Sequence, residues 1–129
     1  MKFGFVHMLI GSAVIAGIRI LIASYYPLLQ NWKAIGILVV VLALICTMVS
    51  QEKYKKILYA ITLGFIIANV IQICVDVIAD PTSHNLAPFE IIFLALTAFA
   101  AALIGVCLGV AIKMIRYKGI GGMNTDDRR

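Results

Sequence analysis

ILYAITLGFIIANVIQICVDVIA, residues 57–79, is apolar almost throughout, yet Thr62, Asn69, Gln72 and Asp76 recur along one side of it at helical spacing. As an α-helix this stretch rises roughly 34 Å, enough to cross a hydrocarbon core about 30 Å thick. A helix satisfies its own backbone polar groups, which lipid cannot do. The segment is therefore predicted to span a membrane with its polar residues turned away from the acyl chains.

Working outward, three more apolar runs fill the chain: about Phe3 to Tyr25, Trp32 to Val49, and Pro88 to Ile115. The 129 residues are 63% hydrophobic and 13% charged, with mean hydropathy +1.04. Soluble domains carry about 25% charged residues, so an ordinary soluble domain is excluded. Tyr25, Tyr26, Trp32, Tyr54, Tyr59 and Tyr117 fall at or near the run ends, where interfacial aromatics belong. The first run resembles a secretory signal, with Lys2 before it and small residues at Ser12, Ala13, Ala16 and Gly17. It continues to Tyr25, longer than a signal's apolar core, so it is expected to be retained. The expected fold class is an all-α four-helix transmembrane bundle: one domain over 1–118, then a short disordered tail over 119–129.

Basic residues set the expected orientation. Lys53, Lys55 and Lys56 lie in the second connection, and Lys113, Arg116, Lys118, Arg128 and Arg129 at the C-terminal end. The 26–33 connection holds only Lys33, and the 80–87 connection has no Lys or Arg. The positive-inside rule then places both termini inside (N-in/C-in) and the 26–33 and 80–87 loops outside, most simply in the plasma membrane. The net charge of +5 flanks the apolar runs and forms no aromatic-interleaved basic patch, so the expected partner is the lipid bilayer and not nucleic acid. Cys46, Cys74 and Cys107 have no paired spacing and sit within apolar runs, which reads as small buried hydrophobes.

The polar stripes raise the functional question. Asn69, Gln72 and Asp76 lie at i, i+3 and i+7, and Asp80 adds one turn; Ser12 and Arg19, and Glu90 and Thr97, are each seven apart. Counted along the helices, Arg19, Gln72, Asp76 and Glu90 are expected at similar depth in the outer third of the membrane, with Arg19 about 9 Å below its outer end. Arg19 offers a forked donor suited to a bidentate pair with Asp76 or Glu90. Two readings of Arg19, Asn69, Gln72, Asp76 and Glu90 compete on even terms. One is a static clasp that fixes which helices are neighbours; the other is a binding or permeation site for a cation, proton or small polar solute.

In the 80–90 segment, Asp80-Pro81 initiates a turn, Pro88 suits a first helical turn, and Ser83 or Asn85 could cap it. Asp76, Asp80 and His84 are spaced i, i+4, which would align metal-ligand types if the helix survived Pro81; a plain capped loop is the favoured reading. His84 also suits an outward-facing pH-sensitive group, and His7 reads as an interfacial histidine. Ala101, Gly105 and Gly109 form a small-residue ridge, with weaker versions at Ser12/Ala16, Ala13/Gly17 and Gly64/Ala68. The Ala101 ridge serves packing within the chain, or a homo-oligomer or membrane-complex partner; the former is favoured.

No catalytic triad, phosphate loop or cofactor motif is present, so enzyme activity is not expected. The first expectation is a non-enzymatic accessory, assembly or immunity-type membrane component. The alternative is a small oligomeric transporter or channel for a cation or polar solute. A metal- or lipid-head-group-dependent enzyme using Asp80, His84 and Glu90 comes last.

Overall fold

The computed structural model describes residues 4–23, 32–82 and 87–121. They form α1 (Phe5–Ala23), α2 (Trp32–Val49), α3 (Tyr54–Ala79) and α4 (Ala87–Gly121). α1, α3 and α4 are long and apolar enough to cross a membrane; the apolar part of α2, Lys33–Val49, is shorter, about 25 Å by helical rise.

α2 has the bounds expected of the second run. α3 starts at Tyr54, earlier than Ile57, so Lys55 and Lys56 ride on its first turn instead of on the connection. α4 continues past Ile115 to Gly121, taking in the glycines at 119 and 121 that the sequence assigned to the tail. Tyr25, Tyr26, the 26–31 connection, Ser83, His84, Asn85 and residues 122–129 lie outside the described residues, as do the side chains of Trp32 and Lys118.

The main helix pairs are α1–α3, α3–α4 and α2–α4, with a lighter α2–α3 contact. Side-chain registers give the directions. Ser12 sits over Gly64 while Arg19, seven residues on, reaches Asn69, so α1 and α3 run parallel. Gly105 meets Val40 and Ala43 and Gly109 meets Leu44 and Thr47, so α2 and α4 run parallel as well. α3 alone separates the Lys53–Lys56 segment from Asp80 by roughly 39 Å, which puts the two connections at opposite ends of the molecule.

Small and polar residues are concentrated inside, beside a few large ones such as Ile57, Ile61 and Phe65, and many large aliphatic residues lie outside. Ser12, Ala16, Ala43, Thr47, Ala60 and Ala102 are almost wholly buried, whereas Leu21, Ile37, Ile78, Phe89 and Ile115 are largely exposed. That inversion suits a bundle in lipid, where helices associate through close packing and hydrogen bonds and gain little from burying aliphatic area.

The pairing ridges follow a four-residue repeat. α1 buries Met8, Ser12 and Ala16; α2 buries Ile35, Val39, Ala43 and Thr47. α3 answers α1 with Ala60, Gly64 and Ala68, and α4 answers α2 with Ala101, Gly105 and Gly109. A Cβ on Gly64 would strike Ser12 Oγ and lie 2.8 Å from the Leu9 carbonyl oxygen; one on Gly105 would strike the Val40 carbonyl and lie 2.7 Å from Ala43 Cβ. Gly105 and Gly109 of the ridge pack against α2 of the same chain.

Candidate functional site

The polar contacts of α1 and α3 form a ladder. Ser12 Oγ is 2.9 Å from the Leu9 carbonyl of its own helix and 3.2 Å from the Ala60 carbonyl of α3, so one hydroxyl serves both helices. Two turns further, Arg19 Nη2 donates to Asn69 Oδ1 at 3.2 Å, and Asn69 Nδ2 donates to the Phe65 carbonyl at 2.7 Å. The Asn69 carboxamide is thereby held from both ends, by its own backbone and by the neighbouring helix. Asn69 is buried and Arg19 half-buried, so the contact replaces water that neither group can reach freely.

Arg19 meets α3 deeper than its backbone level suggests. Helical side chains lean toward the helix N-terminus, which carries the guanidinium down to Asn69, about 10 Å below Asp76 along α3. Arg19 reaches Asn69 on α3, and Lys56 and Glu52 form an ion pair at 3.1 Å. Gln72 and Asp76 are brought together within α3: Gln72 Nε2 donates to the two carboxylate oxygens at 2.8 and 2.9 Å. Glu90 lies in the first turn of α4, where a carboxylate is favoured by the helix dipole. Thr97 Oγ1 donates to the Phe93 carbonyl at 2.8 Å, within its own helix.

Asp80 leaves the helical register. α3 ends at Ala79, and Asp80 is extended (φ −143°, ψ 101°), as the residue before a proline should be. The Asp76–Asp80–His84 alignment required an unbroken helix, so its geometric condition is not met between Asp76 and Asp80; His84 itself is outside the described residues. The Asp80 carboxylate instead accepts from Thr82 Oγ1 (2.7 Å) and Thr82 N (3.0 Å), and these bonds, the hydroxyl first, hold its pKa below the ordinary carboxylate value. Among the described residues no group of His, Cys, Asp and Glu is arranged to hold a metal ion.

Two contacts between helices had only faint sequence signals. Lys113 Nζ donates to the Ser50 carbonyl at 3.1 Å, tying the C-terminal end of α2 to α4, a favourable place for a cation. Ser12 as the bridge between α1 and α3 was foreshadowed only by the spacing of Ser12/Ala16 and Gly64/Ala68. The three cysteines are free, with Cys46 half-buried and Cys74 and Cys107 exposed.

No protein-family model, curated protein or solved structure matches this chain.

Proposed function

We propose that this chain is a four-span, N-in/C-in integral membrane protein of the plasma membrane, acting as a non-enzymatic accessory, assembly or immunity-type component whose polar stripes clasp its own helices. The observation that carries the clasp is Asn69, whose amide bonds Phe65 while its oxygen accepts from Arg19. A group held at both ends in this way is suited to fixing helix register. Gln72 and Asp76 likewise engage each other on one helix.

The α2 span is supported by its neighbour. α2 lies parallel along α4, from Lys33 and Gly36 near Thr97 and Ala100 to Ser50 at Lys113, so it runs through the same slab as the long span beside it. The orientation is supported by charge, since Lys53, Lys55, Lys56, Lys113 and Arg116 collect at one end.

The test is a cation-flux assay on the purified chain in proteoliposomes, with Asp76→Asn as control, paired with cross-linking in native membranes. The clasp reading expects background flux in both proteins and a discrete heterologous partner. Flux that Asp76→Asn abolishes, together with a homo-oligomer, would replace it with the transport reading.

A further inference from the structure

An apolar cleft and a basic pocket meet at Ser50, which lines both. The cleft, of about 190 Å³, opens between α1 and α2, with Met8, Gly11 and Ile15 on one wall and Ile45, Cys46 and Val49 on the other. His7 and Ser12 also border it; the Ser12 hydroxyl is engaged by the Leu9 and Ala60 carbonyls, and the lining is mostly apolar. The pocket, of about 600 Å³, lies where α2 ends and α3 begins, and is bordered by Glu52, Lys53, Tyr54, Lys55 and Lys113.

The charge there is lopsided. The first turn of α3 has no acidic residue and its Lys53 N-cap supplies no side-chain cap. Helix N-termini carry partial positive charge and favour anions, yet this one adds lysines at 53, 55 and 56. Glu52, the acid in the pocket, is paired with Lys56 at 3.1 Å. Lys113 holds the Ser50 carbonyl with one of its donors, and an ammonium has three. The arrangement is complementary to an anion that has an apolar tail.

We propose that this end of the molecule binds one anionic phospholipid, with an acyl chain in the α1–α2 cleft and the phosphate over Lys53, Lys55 and Lys113. The proposal rests on α1, α2 and α3 spanning the bilayer, and is independent of which side faces the cytoplasm. A free phosphate would need only the pocket; the adjoining cleft selects a lipid.

The experiment is native mass spectrometry of the full chain in neutral detergent, supplied with equal phosphatidylglycerol and phosphatidylcholine. The wild type is expected to retain one phosphatidylglycerol in preference to phosphatidylcholine. Lys53→Gln with Lys55→Gln, both exposed positions, should reduce that preference about twenty-five-fold, taking roughly fivefold per surface lysine. Gly11→Phe places a ring in the cleft from a position where a Cβ meets nothing within 4 Å; it should lose both lipids at unchanged helicity. Equal retention of the two lipids by the wild type overturns the proposal. So does displacement of phosphatidylglycerol by millimolar inorganic phosphate with Gly11→Phe still binding, which would mark a free-anion site. Hydrogen exchange in nanodiscs separates the two ideas. Unprotected amides across α1 and α3 would sink the membrane-spanning reading itself, whereas protected spans without lipid preference sink only the lipid site.

Discussion

Thr62 and Asn69 sit one heptad apart on α3, and their different fates show what the stripe costs and supplies. Asn69 is bonded at both ends of its carboxamide, whereas Thr62 Oγ1 is buried and has no partner among the described residues. An unsatisfied buried hydroxyl costs about 1–3 kcal/mol. Thr62→Val, which keeps the shape, is therefore expected to raise stability by about 1 kcal/mol in steric-trap or denaturant unfolding; a loss of similar size would mean that the hydroxyl has a partner in the working protein. Asp80 gives a pH prediction. Its pKa is lowered in the fold by the Thr82 hydroxyl and amide, so the turn's contribution is complete above about pH 5 and fades as pH falls through the lowered value. Thr82→Ala should move the Asp80 carboxyl titration, followed by NMR, upward toward the ordinary value. An unmoved titration would show that the hydroxyl is not what holds it down.

At the scale of helices, four apolar elements were legible because apolar runs of this length have few other uses, and α2 kept its expected bounds. The start of α3 was not legible: lysines at a helix N-terminus oppose the helix dipole, so Lys55 and Lys56 read as connection. The stripes of Ser12/Arg19 and Asn69/Gln72/Asp76 were visible, but which residue of one faces which of the other depends on the lean of a long side chain. The sequence suggested Asp76 or Glu90 as partners for Arg19, and the contact to Asn69 was not anticipated. The small-residue ridges were also visible, though the sequence left open whether their partner was in the same chain. Glycine contacts now answer that, and they make a contrast experiment. Gly64→Ala and Gly105→Ala push backbone against backbone and should each destabilise by about 1–3 kcal/mol, while Gly11→Ala and Gly36→Ala, with nothing within 4 Å of the new Cβ, should be neutral or stabilising by about 0.5–1 kcal/mol. Equal effects at all four positions in the same unfolding assay would show that the helix pairs are not as close as described.

For the whole molecule, the parallel pairs α1–α3 and α2–α4 join through α3–α4, with Lys53, Lys55, Lys56 and Lys113 at one end and Asp80 and Glu90, together with Lys33, toward the other. Polar groups inside such a bundle can either lock the pairs or line a path, and the ladder from Ser12 to Arg19 is proposed above to do the first. The most direct check is a double-mutant cycle on unfolding in a bilayer, with Arg19→Met, Asn69→Leu and the two combined. A clasp predicts a coupling energy of about 0.5–2 kcal/mol between the two sites. Additivity within about 0.3 kcal/mol would contradict it, because two side chains that stabilise the fold independently cannot be what holds α1 to α3.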